Sequence, residues 1–529
     1  MPRRSYLTLR WISVAGLFGM ALAVGLLLAR PLKAASIGFD SQVAVLDFAR
    51  LLAGRHVELF LATTPKPLLT FIFGPLELLT HDWRTLTWAT LIAFGLAVVL
   101  SAELARRFGG IAAWAFVGVG LAGSGALLFD VGYALAIPWA LLGWSIAGLA
   151  ISQPQPRYGL AGIALLLATL ARIETLLIVG LVAVVLVGLN VPPLARAAEA
   201  RGIGRPPRRA GLVLVAFAAL PIMCLHDLLI YGDPLFWSTV SARYSATTPL
   251  TVLRLPAVFM VIVRHYVHLW LLTLLGLAGV ARLLRERAWG VLVGLIALGP
   301  GMAMFLLFLA FRHIYVPNRY LAPIDIVLIF AAGIGTAWIL REGVAWLGRR
   351  LGSRPLGAPA WTAGLVSAAA ISLAVVAAWP SGILDSTLRQ SVATSLALAA
   401  DIDRMVPILR QIVDQSPGAR VGPSGRSGTA GKSNPALLLV PLPYRPGISI
   451  DLDIPLTNIG GIQPSRVGPP GGYPAIGQFV AHDRHADGEL PAFRPYETTV
   501  VRTINGVSIV PVASDPNRGW WITEIQAPK

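Results

Sequence analysis

Charge is what this chain has least of. Asp, Glu, Lys and Arg make up 13% of its 529 residues, against roughly 25% in a soluble domain. A mean hydropathy of +0.70 and repeated apolar runs of roughly twenty residues exclude a soluble globular protein, because runs of that length cross a bilayer. Cysteine is almost missing. Cys224 is the only one and sits in an apolar run, so no intrachain disulfide braces the parts outside the membrane. Acid is scarce as well, 26 residues against 43 basic ones, for a net charge of +17. Nucleic-acid binding is the naive reading of that excess. Most of the arginines, however, fall in short loops between apolar runs, which is the signature of membrane topology. Nucleic acid is not an expected partner; membrane lipids are. There is no internal repeat, coiled coil or nucleotide-binding glycine-rich loop, and the basic loops are too short for an ATPase domain.

What is present is a series of spans. Residues 1–10 are basic, and 11–29 form the first apolar run. A cleaved signal peptide competes for that run, but it exceeds the roughly 7–15 residue core of such a segment. Either way Asp40 lies outside. Spans follow at 86–104, 111–129 and 133–151. The run 158–190 is too long for one span and is interrupted by Arg172-Ile173-Glu174. A single helix would bury both charges, the Arg alone at roughly 2.5–3.5 kcal/mol, whereas two short helices meeting near the outer surface avoid most of that cost. A hairpin there also places the Arg-rich loop 191–209 inside, as the positive-inside rule requires. Further spans at 210–230, 257–280, 289–311, 320–340 and 360–380 give about eleven transmembrane helices, with the amino terminus cytoplasmic and the carboxy terminus outside. Residues 1–380 form this membrane domain, with 30–85 as its first outer loop carrying juxtamembrane helices.

Residues 381–529 differ in character. Helical periodicity runs over 384–413. A Gly/Ser/Pro linker occupies 417–435, and short β-type runs follow at 437–440, 498–504 and 507–512. They predict a small extracytoplasmic α/β domain. Two polar motifs there carry no site: His482-Asp483-Arg484-His485-Ala486-Asp487 reads as a polar loop, and Asp451-Leu452-Asp453 as a strand edge.

With this topology the ionisable residues at outer span ends collect on one side: Asp40, Asp47, Lys66, Asp130, Arg172, Glu174, His265, Arg312, His313 and Arg319. Charges near membrane depth face a cavity or one another. A carboxylate among cations suits an anionic, phosphate-bearing substrate. The cations stabilise a leaving phosphate, and the carboxylate takes a proton from an acceptor hydroxyl.

The layout resembles the GT-C superfamily of membrane glycosyltransferases, in particular the aminoarabinose transferases and protein O-mannosyltransferases. Phe39-Asp40-Ser41 matches the position of the family's acidic residue in the first outer loop. Thr64-Pro65-Lys66-Pro67-Leu68-Leu69 resembles its Lys-Pro-Pro-Leu turn, and Arg172-Ile173-Glu174 its outer Arg-Pro-Glu without the proline. Tyr231-Gly232-Asp233-Pro234-Leu235 is similar to its Tyr-Gly-x-Pro loop, and Asn318-Arg319-Tyr320-Leu321-Ala322-Pro323 to its late Arg-Tyr-x-x-Pro element. The likeness covers roughly residues 1–380. It implies an inverting hexosyl- or pentosyltransferase that uses a polyprenyl-phosphate sugar on the outer face, with Asp40 as general base and Lys66, Arg172 and Arg319 on the donor phosphate. Asp47, Asp130, Glu174 and His313 are secondary candidates. The acceptor is a lipid, glycan or protein hydroxyl. No metal ligand is assigned. Some relatives carry a metal-binding carboxylate just before the Lys, where this chain has Pro65, so a divalent metal is left open and no other cofactor is expected.

Each of these residues also has a structural reading. Asp40 can cap a helix running from Ser41; Asp47 can pair with Arg50 or Arg55; Lys66 can reach the headgroups; Asp130 can cap a helix at Tyr133. Arg172 and Glu174 can pair with each other, and Arg319 can anchor at the interface beside Tyr315 and Tyr320. His265, His268 and His313 lack metal-ligand spacing and read as interfacial. Two other functions compete with sugar transfer. A transporter or lipid flippase would show repeats and midplane charges. A polysaccharide polymerase or ligase of another class would carry its large loop late in the chain.

Overall fold

The computed structural model of the chain describes residues 3–28, 39–54, 56, 65–200, 207–240, 254–314, 318–350, 369–371, 373–374, 401, 404–415, 438–441, 459–462, 479–483, 499–504, 507–517 and 520–527. The described residues up to 350 are mostly helical. Helix α1 (Arg3–Leu28) packs against α4 (Arg84–Ala122), with α2 (Phe39–Leu52) and α3 (Pro67–Thr80) between them in sequence. α4 is two arms joined at Gly110, whose backbone (φ 69, ψ −154) is far from helical; without a Cβ, glycine adopts that conformation at no steric cost. The adjacent residues Leu17 and Phe18 pack on Gly118 and Gly95 respectively. A straight helix would set those two glycines ~35 Å apart, so the chain reverses at Gly110, between the two spans expected there. The second arm continues as α5 (Gly125–Gly132).

α6 (Ile137–Ile151) pairs with α7 (Tyr158–Ala171). α7 ends where the two charges begin. Arg172 is extended (φ −144, ψ 113), a 3₁₀ turn covers Ile173–Thr175, and α8 (Leu176–Gly188) follows. The long apolar run is therefore broken at the position its charges dictate. After α9 (Pro192–Ala200), a 3₁₀ segment Arg208–Ala218 leads into α10 (Ala219–Tyr231), together a 24-residue apolar element.

One expected straight span is bent. The reading over 257–280 gives way to α11 (Leu255–His268) and α12 (Trp270–Arg285), which meet at 82°. Arg264, His265 and His268 crowd the end of α11. Carrying them through the hydrocarbon would be costly, and the bend avoids it. α13 (Trp289–Ile296), a π-type turn over Ala297–Gly301 containing Pro300, and α14 (Met302–Phe311) form one 23-residue span; the wider turn accommodates the proline's missing N–H.

α15 (Ala322–Arg350) packs against both α12 and α4. Its contact with α12 is backbone to backbone. A Cβ on Gly279 would lie 1.9 Å from the Ala331 carbonyl oxygen, and one on Gly335 1.9 Å from that of Leu275. Small residues that let helices approach this closely replace the hydrophobic driving force that lipid removes. Among the described residues, four helices are long and apolar enough to cross a membrane, five if the bent pair is one span, with shorter apolar helices at Trp11–Leu26, Pro67–Thr80, Ile137–Ile151, Tyr158–Ala171 and Ile173–Gly188. Most of 360–380 lies outside the described residues.

Towards the carboxy terminus residues 404–414 are helical, within the segment whose periodicity predicts a helix. Among the described residues six strands follow: β1 (Leu438–Pro441), β2 (Ile459–Ile462), β3 (Phe479–Asp483), β4 (Arg502–Ile504), β5 (Val507–Asp515) and β6 (Trp520–Gln526). They form one sheet in the order β2-β1-β3-β6-β5-β4, with β1 parallel to β2 and β3 and the remaining pairs antiparallel. The polar-loop reading of His482–Asp487 is corrected in part: His482 and Asp483 are ladder residues opposite Trp521 and Trp520. Residues 484–487, and the 451–453 motif, lie outside the described residues.

The glycine contact gives a test of the helical core. Gly335→Val is expected to destabilise the detergent-solubilised protein by about 1–3 kcal/mol or more, the usual cost of overpacking. A thermal midpoint equal to that of the wild type would contradict the close approach of α12 and α15.

Candidate functional site

Asp40 stands in the first turn of α2, and residues 40–47 of that helix are buried. α3 begins at Pro67, a residue suited to the first helical position because that N–H has no intrahelical partner, and Lys66 immediately precedes it. α2 and α3 pack together, which brings the Lys66 Nζ to 2.7 Å from Asp40 Oδ2, with the side chains 13% and 4% exposed. Ser41 Oγ donates to the Ala134 carbonyl at 2.7 Å, fastening α2 to the turn before α6. Asp130 Oδ2 accepts the Ile137 N–H at 3.2 Å, so Asp130 caps α6, which begins four residues later than expected.

Arg172 and Glu174 form a two-pronged pair, Nε to Oε2 at 3.1 Å and Nη2 to Oε1 at 2.7 Å, each side chain 5% exposed. The Arg172 guanidinium carbon lies 5.3 Å from the centre of the Tyr320 ring, within cation–π range. Trp144 Nε1 donates to Thr175 Oγ1 at 3.0 Å and fixes the far end of the turn. Lys66 lies within electrostatic reach of Glu174, and Asp130 within reach of Arg172. Residues spread from 40 to 320 in the chain thus converge on one cluster of alternating charge: Asp40, Lys66, Asp130, Arg172 and Glu174, with Tyr320 beside them.

The remaining candidates sit elsewhere or outside the description. The side chain of Arg319 lies outside the described residues; its backbone is in the 3₁₀ turn Asn318–Leu321. His313 is exposed beside Arg312 at the end of α14, with a left-handed backbone (φ 55). The partner of Asp47 is neither of the arginines expected. Tyr231 Oη lies 2.7 and 2.8 Å from its two oxygens, and Arg55 lies outside the described residues. Burial pushes the Asp47 carboxyl up to about 7, against the opposing pull of His226, the Tyr231 hydrogen bond and Lys66.

Sequence reasoning missed two acid–histidine pairs, one buried and one half-buried. His226 Nδ1 is 3.0 Å from Asp227 Oδ1, and its Nε2 is 3.3 Å from Thr70 Oγ1. His265 Nε2 meets Asp325 Oδ1 at 2.5 Å, tying α11 to α15. The signal was available. His226-Asp227 is the only charged pair in an otherwise apolar helix, and Asp325 stands alone in an apolar run.

Among the described residues no ready-made divalent-metal site stands out. Asp40 is engaged by Lys66, Glu174 by Arg172 and Asp130 by a backbone N–H, and no group of three His, Cys, Asp or Glu among the described residues is placed to hold an ion.

Comparison with protein-family models and with curated proteins gives no match. Solved structures do resemble the chain. ArnT from Cupriavidus metallidurans, bound to undecaprenyl phosphate, aligns over 98% of this chain and 99% of its own, with a TM-score of 0.52 and 15% identity. The Archaeoglobus fulgidus oligosaccharyltransferase in its apo form aligns over 91% of this chain and 72% of its own, with a TM-score of 0.53 and 13% identity. Both are GT-C membrane glycosyltransferases. This chain has the GT-C fold. The oligosaccharyltransferase AglB of the same archaeon, in complex with an inhibitory peptide and a dolichol-phosphate, is a more distant likeness (TM-score 0.47, 13% identity); it aligns over 84% of this chain, which spans 64% of its length. Within the GT-C fold, the ion-paired cluster stands on the first loop helices and the break between α7 and α8.

The Asp47 carboxyl supplies a pH test. Its folded value, about 7, exceeds the ordinary 3.8. Ionisation therefore works against the fold: the loss is absent below roughly pH 4, grows with rising pH and is complete above about 7. Asp47→Asn cannot ionise, yet still accepts the Tyr231 hydroxyl. Its thermal midpoint should gain on the wild type between about pH 5 and pH 8; a constant difference would contradict the raised value.

Proposed function

We propose that this GT-C chain transfers a sugar from a polyprenyl-phosphate donor to an acceptor hydroxyl at the extracytoplasmic face of the membrane. The observation that carries the reading is the Asp40–Lys66 pair, a carboxylate and an ammonium 2.7 Å apart and in electrostatic reach of a second buried pair. In the resting site Lys66 neutralises Asp40. A donor phosphate competes for that ammonium, and the carboxylate is then left to the acceptor hydroxyl. The acceptor oxygen attacks the anomeric carbon, its proton passes to Asp40, and the bond from that carbon to the phosphate oxygen breaks with inversion. Polyprenyl phosphate departs with the bonding electrons. Lys66, Arg172 and Arg319 neutralise the charge it gains. Undecaprenyl phosphate bound in the similarly folded ArnT supports a donor of this class.

The topology that goes with this reading has about eleven spans, a cytoplasmic amino terminus and residues 381–529 outside, where they cover the site and select a lipid, glycan or protein acceptor. Mass spectrometry of lipid-linked sugars and envelope glycans, in cells with and without the gene, identifies donor and product. Purified protein is then assayed with that donor. Asp40→Asn, which keeps a hydrogen-bond acceptor for Lys66, should still insert and fold, at reduced stability, and lose about 10²–10⁴-fold in turnover, the usual contribution of a general base. A folded Asp40→Asn enzyme with near-normal turnover would refute the assignment. Lys66→Met should weaken binding of undecaprenyl phosphate itself; unchanged binding would remove Lys66 from the phosphate site.

A further inference from the structure

The Asp40–Lys66 pair joins two short helices, and the outer end of α10 is bonded to each of them. On α2, Tyr231 Oη meets Asp47, seven residues from Asp40 and so two turns along the same face. On α3, His226 meets Thr70 Oγ1, one turn beyond Lys66. The brace is itself held firmly. Asp227 accepts from His226 at 3.0 Å and, through its other oxygen, from the Trp237 backbone N–H at 2.6 Å. Tyr231 stacks on Phe236 with ring centres 3.9 Å apart. Asp47, His226 and Asp227 are all buried. The charged groups facing Asp47 are His226 and Asp227 from α10 and Lys66 from the start of α3. Apolar residues would hold these helices together at least as well as buried polar groups do. What a satisfied polar network adds is a single fixed geometry.

We propose that Tyr231 is a positioning residue for the transfer reaction, holding through Asp47 the helix that presents Asp40, while His226 on Thr70 holds the helix start that presents Lys66. This rests on the reading of Asp40 as the base. Loss of the Tyr231 hydroxyl frees α2 to shift by a fraction of an ångström. Such misplacement affects turnover more than affinity, because a proton acceptor must meet its hydroxyl at hydrogen-bond distance.

The test uses the full-length protein in nanodiscs, the lipid-linked sugar identified above as donor, and undecaprenyl phosphate as binding probe. Tyr231→Phe keeps the ring and its stacking; it should lower kcat about tenfold or more while KM for the donor and Kd for the probe stay within about twofold. Asp47→Asn, which still accepts the hydroxyl, should retain most of the activity, and Asp47→Leu should fall as far as Tyr231→Phe. The double variant Tyr231→Phe/Asp47→Leu should fall no further than either, as expected of two groups acting through one contact. A wild-type kcat for Tyr231→Phe, or losses that multiply in the double variant, overturns the proposal. If Tyr231→Phe does not fold, Thr70→Val takes its place: it removes the hydroxyl on the other arm and must show the same split between kcat and KM, and wild-type activity there overturns the proposal as well. Asp40→Asn assayed alongside separates the two claims. An active Asp40→Asn removes the base and with it the positioning role, whereas an inactive one beside a fully active Tyr231→Phe removes the positioning role alone.

Discussion

A carboxylate and an ammonium nearly out of reach of water, Asp40 and Lys66 at 2.7 Å, set the conditions for the surrounding structure. Neither charge is tolerable alone at that burial; losing one partner of such a pair typically costs about 3–5 kcal/mol. The pair therefore keeps α2 and α3 in register. The contacts that converge on those helices, Ser41 with Ala134, Asp47 with Tyr231 and Thr70 with His226, come from two distant parts of the chain, the turn before α6 and the end of α10. A pair held this way is also reactive in a specific sense. Its members are matched to each other only until an anion of higher charge competes for the ammonium.

The bilayer explains why the helices are interrupted where they are. Arg172 and Glu174 could not ride inside a continuous helix without being carried into hydrocarbon, so the helix stops, the backbone extends at Arg172, and the two side chains neutralise each other with Tyr320 alongside. The bend between α11 and α12 has the same origin in Arg264, His265 and His268. Where no charge intervenes, as in 289–311, the span runs on, and even Pro300 is absorbed by a widened turn.

Hydropathy and charge therefore made much of the membrane part legible. The spans at 210–230 and 289–311, the reversal before residue 111 and the break at Arg172 follow from apolar run length and from the cost of buried charge. The likeness to GT-C motifs singled out Asp40, Lys66 and Arg172. What stayed hidden was of another kind. Hydropathy reports depth and not direction, so the 82° turn at Leu269 was invisible. The partnership of Asp47 with Tyr231 spans 184 positions, and nothing local to Asp47 favours it over the arginines nearby. In the sheet, β2 is Ile-Gly-Gly-Ile, which carries almost no strand signal, and β3 was masked by the polarity of His482 and Asp483. Its ladder comes from distant neighbours, β1 along Phe479 and Val480 and β6 along its whole length.

The lengths of α6, α7 and α8 have a consequence for the lipid around them. At 15, 14 and 13 residues each is only ~20 Å long, well short of a hydrocarbon layer ~30 Å thick. A bilayer meeting a wall this short adjusts by thinning, and its headgroups sink toward the protein's midplane on that flank.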